Sequence, residues 1–168
     1  MRILFAAGTQ FAFPRMGQVV LEVSRQRPSW PLVYQAGPGA SLHRFSSLSN
    51  LQAQPLFAAE LYQRLFAEAD LVVTHAGMGN ILACLEQGKP FLMLPRQARL
   101  GEHRNDHQVD TAEAINERFC IPIHEDVDSL VRSILSYDAL SATAVDGDAI
   151  LRRRKIFGKK LNALIGSL

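Results

Sequence analysis

The sequence predicts an α/β domain built as a Rossmann-like, doubly wound parallel sheet with a basic amphipathic helix at its C-terminal end. Short apolar runs alternate along the chain with segments whose apolar residues recur at helical spacing. Runs such as Leu71 to Val73 and Phe91 to Leu94 are apolar throughout, as strands covered on both faces are. Glycine-rich or polar segments close one run after another, where strands would hand over to helices.

The elements follow in order. Met1 to Ala6 reads as a strand closed by Gly8-Thr9-Gln10, and Met16, Val19, Val20 and Val23 give the next segment a helical stripe. Pro31 to Gln35 is a second strand ending in the turn residues Ala36 to Gly39, and Asn50 to Pro55 a more polar third. A helix over Phe57 to Glu68 carries Leu61, Leu65 and Phe66 on one face. Asp70 to Thr74 (strand), Gly79 to Glu86 (helix) and Phe91 to Leu94 (strand) repeat the alternation, punctuated by Gly88-Lys89-Pro90. A polar loop from Arg96 to Arg104 leads to a helix near Asn105 to Glu117, a strand at Phe119 to Ile123 and a helix at Val127 to Leu135. Residues 1–138 should form the folded unit and 139–168 a helical extension.

Length and composition agree with this. A chain of 168 residues fits one domain, and 48% hydrophobic with 20% charged residues supplies a core. No run approaches the roughly 18 apolar residues of a membrane span, and the start lacks the basic, apolar and cleavage regions of a signal peptide, so a cytoplasmic location is expected. Cys84 and Cys120 lie in apolar stretches without metal-ligand spacing and read as reduced core thiols, and no metal site is expected. Twelve basic and sixteen acidic residues up to Asp148 make the body −4, while Arg152, Arg153, Arg154, Lys155, Lys159 and Lys160 make the tail +6. A body without a basic excess argues against nucleic acid as a partner.

Four segments fall where a doubly wound sheet binds ligands. In Thr74-His75-Ala76-Gly77-Met78-Gly79-Asn80 the glycines permit close backbone approach and the following helix offers free N–H groups, which suits a diphosphate; the same glycines would also serve tight helix–strand packing. The GxGxxG dinucleotide fingerprint is absent, because Leu82 stands where its last Gly would be. Gly8-Thr9-Gln10 could offer an N–H and a hydroxyl to phosphate, while Gly37-Pro38-Gly39 reads first as a turn. Arg96 to Gln108 gathers more chemistry than a connection needs. Arg96 could pair with a diphosphate, Glu102, Asn105, Asp106 and Gln108 could bind sugar hydroxyls, and His103 or His107 could shuttle protons, with Asn105 or Asp106 also able to cap the next helix. His75, at the mouth of the expected crevice, could donate to phosphate or act as a base, or serve as a structural hydrogen-bonding residue.

The succession DLVVTHAGMGN, GKPFLMLPR and GEHRNDHQ resembles the C-terminal, donor-binding half of family 28 glycosyltransferases over about residues 1–135, and within them the free-standing small subunits of two-component enzymes. The resemblance implies a GT-B half that binds a UDP-sugar and transfers the sugar with inversion to a lipid-linked saccharide acceptor, in the assembly of polysaccharides or lipid-linked saccharides. It implies Gly8, Thr9 and Gln10 as a first phosphate loop, His75 to Asn80 as the diphosphate loop and His107-Gln108 as the sugar-contacting pair, with His75 and His107 the catalytic candidates. It implies no cofactor or metal, helix dipoles and side chains stabilising the leaving diphosphate. It also implies a membrane-anchored partner subunit for acceptor binding. One position departs from the pattern: Ala83 stands where many members carry a ribose-binding Glu, which keeps open a non-catalytic nucleotide-sugar-binding or regulatory module. In the tail, Ile150, Phe157, Leu161, Leu164 and Leu168 fall on one helical stripe opposite Arg152, Lys155 and Lys159, which would either pack back on the sheet or dock on an anionic partner or membrane surface.

Overall fold

The computed structural model describes residues 1–137. Five short strands, β1 (Ile3–Ala6), β2 (Leu32–Gln35), β3 (Leu51–Gln54), β4 (Leu71–Thr74) and β5 (Phe91–Met93), form one parallel sheet in the order β3-β2-β1-β4-β5. The helices are α1 (Pro14–Gln26), α2 (Ala59–Glu68), α3 (Met78–Glu86), α4 (His107–Phe119) and α5 (Val127–Leu135). This is the doubly wound α/β fold the alternation predicts.

Side-chain alternation along each strand builds two cores. Ile3, Phe5, Leu71 and Val73 pack with Val19, Val20 and Val23 of α1 and Leu130, Val131 and Ile134 of α5. Leu4, Val33 and Val72 point the other way, onto Leu65 and Phe66 of α2, Ile81 and Cys84 of α3 and Ala112 and Ile115 of α4. Each Val, Leu, Ile or Phe side chain so buried contributes roughly 1.5–3 kcal/mol of hydrophobic stabilisation. Local signals set the helix starts: Pro14 occupies the first turn of α1, where a missing N–H costs nothing, and the Asp126 carboxylate caps α5 by accepting from the Ser129 amide at 2.7 Å.

Two expectations are corrected. The apolar run from Phe119 to Ile123 does not form a strand: α4 continues through Phe119, Cys120 takes a left-handed φ of 55°, and only Ile123 bridges to Met93 beside β5. Pro122, in the middle of that run, has no N–H to give a ladder. Cys120 is exposed at this helix end, whereas Cys84 is a buried core thiol as expected. The helical extension expected over 139–168 lies outside the described residues.

The chain runs outward from β1 through β2 to β3 and then returns to lay β4 on the other side of β1. The sheet therefore has its topological switch point between β1 and β4, and ligands of such sheets bind just beyond the carboxyl ends of those two strands.

Candidate functional site

The loop after β1 and the loop after β4 meet at one imidazole. His75 Nδ1 lies 3.3 Å from the Ala6 carbonyl oxygen, which can only accept, so Nδ1 carries the proton and Nε2 the lone pair. The ring fills the space left by two absent side chains: a Cβ on Gly8 would stand 2.7 Å from His75 Cε1, and one on Gly77 2.3 Å from Nε2. Gly8 is further required by its φ of +91°. Burial, with smaller contributions from Arg96 and His103, overrides the Ala6 hydrogen bond and holds the His75 pKa down at about 4. The imidazole of the free protein is thus neutral near pH 7 and accepts at Nε2. A diphosphate arriving there would bring the negative charge that favours its protonated, donating form.

The lowered pKa predicts acid sensitivity. Between pH 6.5 and about 4 the unfolded chain binds a proton that folded His75 refuses, so stability is intact above this window and falls with pH inside it. The loss approaches about 1.4 kcal/mol per unit, and buried His124, lowered by burial too, adds in the same direction. Urea titrations between pH 7 and 4.5 should show this slope, and the uncharged His75→Asn variant should show a shallower one. An unchanged slope would contradict a buried neutral His75.

Around His75 opens a crevice of about 520 Å³. Gly8, Thr9 and Gln10 border it from the first loop, and Gly77, Met78, Gly79 and Asn80 from the first turn of α3, whose leading N–H groups have no partner within the helix. Asn80 is committed elsewhere: its amide donates to Thr74 Oγ1 at 2.9 Å and its oxygen accepts from the Tyr62 hydroxyl at 3.0 Å, tying α3 to β4 and α2. Ala76 does not reach the crevice and is buried in the core between α2, α3 and α4.

The segment from Arg96 to Gln108 divides into a brace and a wall. The Arg96 guanidinium, which the sequence offered to a diphosphate, is 3% exposed and donates to the carbonyls of Ala7, Phe11 and Ala12 at 2.8 Å each while lying 4.4 Å over the Phe13 ring. It holds the first loop in shape while itself bordering the crevice. The Glu102 carboxylate is engaged within the protein, pairing bidentately with Arg15 at 2.9 and 2.6 Å and accepting from the Gln97 amide. Asp106 stands at the N-cap position of α4 but accepts from the Ala98 amide at 2.8 Å instead of capping, and Asn105 holds His107 Nδ1. Glu102, Asn105 and Asp106 do not line the crevice. His103, His107 and Gln108 do, with the two histidine rings edge to face at 4.4 Å and the Gln108 oxygen accepting from the Arg96 amide at 3.1 Å.

Sequence reading missed the opposite end of the crevice, where Gln35, Phe57, Ala59 and Tyr62 form the wall beyond β2 and β3. Gln35, the last residue of β2, could have been found by asking what the carboxyl end of every strand presents; Tyr62, in the middle of a helix, carries no such mark. Ala83 packs against the core beneath α3 and, like Glu86, does not border the crevice.

Residues 2–144 match the family model described as the glycosyltransferase family 28 C-terminal domain. No curated protein matches the chain. Among solved structures, the chain is similar to the glycotransferase of kitacinnamycin, with 25% identity and a TM-score of 0.63 over 90% of this chain and 38% of that one. It also shares the fold of MurG from Acinetobacter baumannii, at 18% identity and a TM-score of 0.56, covering 80% of this chain and 40% of that one. The chain therefore spans about two-fifths of the length of these enzymes.

Proposed function

Since the chain belongs to the glycosyltransferase family 28 C-terminal domain family, we propose that it is the donor-binding half of an inverting glycosyltransferase that moves a sugar from a UDP-sugar to a lipid-linked acceptor in polysaccharide assembly. The observation that carries this reading is the junction of the Gly8 loop, His75 and the N-terminus of α3 at the switch point of the sheet. A diphosphate fits there, on backbone N–H groups and the positive end of a helix. The nucleoside then extends over β2 towards Phe57 and Tyr62, and the sugar towards His107 and Gln108 at the start of α4.

In transfer, an acceptor hydroxyl attacks the anomeric carbon from the face opposite the diphosphate. The new C–O bond forms as the bond to the diphosphate breaks, inverting the centre, and the hydroxyl proton passes to a base. The charge growing on the departing diphosphate is met by the α3 N-terminus and the Gly8 loop, preorganised donors that need no metal, and by His75 in the protonated form that the diphosphate favours. His107 is the candidate base: with Nδ1 occupied by Asn105, its Nε2 is the atom left to accept a proton.

The acceptor-binding half is assigned to a membrane-anchored partner subunit. Of the large hydrophobic residues exposed among the described residues, Phe11 and Met78 border the crevice, while Leu56, Leu82 and Leu100 lie in the loops or the helix that follow β3, β4 and β5. Apolar surface gathered at one edge marks a face that another protein covers. No helix among the described residues is long and apolar enough to cross a membrane; cytoplasmic residence at the membrane through this partner and the basic C-terminal segment is part of the proposal.

Thermal melts with uridine nucleotides test the donor site. UDP at 100 times its dissociation constant adds about 2.7 kcal/mol of stability, a rise of roughly 5–10 °C in Tm for a domain of this size. No shift with UDP, UMP or a UDP-sugar would end the reading. The apolar Ala83 favours one other reading, a module that holds a nucleotide sugar without turning it over. It would keep the Tm shift and release no UDP when partner and acceptor are supplied.

A further inference from the structure

Gln35 is a buried amide whose orientation is not free. It is 4% exposed at the end of β2, and its side-chain oxygen accepts from the Phe57 backbone N–H at 3.2 Å. That N–H can only donate, so the amide cannot flip without burying two donors face to face. The amide nitrogen is left without a partner among the described residues, in a side chain that borders the crevice. The crevice thus holds, at this end, a fixed donor and no matching acceptor on the same side chain.

Its position says which part of a ligand it meets. Neighbouring strands lie about 4.8 Å apart, so β2 is roughly 10 Å from β4, and a ligand whose diphosphate sits against His75 brings its far nucleoside end over β2. The walls there, Phe57 and Tyr62, are flat and aromatic, suited to a planar ring.

We infer that Gln35 is a specificity-determining residue that reads the nucleobase carbonyl at C4 through its amide nitrogen, so that the site takes uracil or thymine and rejects cytosine, which presents an exocyclic amine at that position. The inference rests on the nucleotide-donor reading above and adds to it the basis of base selection. Two donors confronting one another in a dry pocket leave both unpaired, and sites built on a hydrogen bond reject analogues that lack it far more strongly than apolar pockets reject a change of size.

The test is a set of calorimetric titrations of the full chain with UDP, TDP, CDP and ADP, for the wild type, Gln35→Met and Gln35→Glu. The wild type should bind UDP and TDP at least tenfold more tightly than CDP. Gln35→Met should bring the UDP:CDP ratio close to one, and Gln35→Glu, whose second oxygen accepts, should favour CDP. A wild type that binds UDP and CDP equally, or a folded Gln35→Met protein that keeps the preference, would overturn the assignment while leaving the nucleotide site standing. Failure of every nucleotide to bind would overturn the donor site itself. Should neither variant fold, the wild-type ratio still decides, together with the Gln35 side-chain NH2 resonances, which must shift with UDP; unmoved resonances count against the inference.

Discussion

Arg96→Ala should cost about 3–5 kcal/mol of stability and at least a hundredfold in nucleotide affinity, chiefly because its guanidinium, at the border of the crevice, is committed to the backbone of the first loop. Three carbonyls, those of Ala7, Phe11 and Ala12, converge on one guanidinium at 2.8 Å each. Carbonyls turned inward in this way have no helix or sheet partner to fall back on, and each one left dry costs about 1–3 kcal/mol. The truncation also opens a void over the Phe13 ring, which the planar cation covers at 4.4 Å. Against this stands the cost of keeping the charge buried, which lowers the pKa of Arg96; the near-complete burial says that the hydrogen bonds outweigh it. Affinity falls because the residues from Ala7 to Ala12 include the loop that borders the crevice. Arg96→Lys should rescue only part of either loss, since one ammonium cannot span three acceptors that a planar fork reaches. Denaturant melts of both variants, with UDP titrations where they fold, measure the two effects. A native-like Arg96→Ala protein would contradict the bracing role.

This residue marks where sequence reasoning stopped. The alternation of Val-, Leu- and Phe-rich runs with helical stripes carries the fold, because binary pattern and burial are local properties repeated along the chain. The glycines of the β4–α3 turn and the His beside them were legible for the same reason: a strand end followed by a helix start is visible in ten residues. What was not legible is how donors and acceptors pair across the fold. Arg96 and Glu102 both read as ligand-binding groups in a polar loop. Whether each is free for a ligand depends on Arg15, 87 residues from Glu102, and on carbonyls more than 80 residues from Arg96. Asn80 shows the same limit on a smaller scale, its amide absorbed by Thr74 and Tyr62. Conversely, Gln35 closes a strand that looked merely apolar and borders the crevice. Which atoms at the cavity stay free for a ligand is decided by such long-range pairings, and only the assembled structure shows them.

Gly77→Ala and Gly79→Ala, two residues apart in one turn and alike on the page, should behave in opposite ways. A methyl on Gly77 would lie 2.3 Å from His75 Nε2, inside any permitted contact, while its φ of −86° suits alanine well, so the backbone stays and the imidazole must move. The ring cannot retreat without giving up its hydrogen bond to the Ala6 carbonyl. The expected result is a folded protein, destabilised by about 1–3 kcal/mol, with UDP binding reduced a hundredfold or more, because both the imidazole and the diphosphate seat are displaced. A methyl on Gly79 meets nothing within 4 Å and sits in the first turn of α3. There alanine should stabilise the free protein by about 0.5–1 kcal/mol, the usual difference from glycine in a helix. Any loss of UDP affinity in that variant then reports on the ligand alone, since the empty protein holds no atom for the methyl to strike. Melting curves separate the two variants in the absence of nucleotide, and titrations separate them in its presence. If Gly77→Ala kept full affinity, His75 would not be the seat of the diphosphate; if Gly79→Ala did so, the ligand would not approach the α3 backbone as closely as the glycine allows.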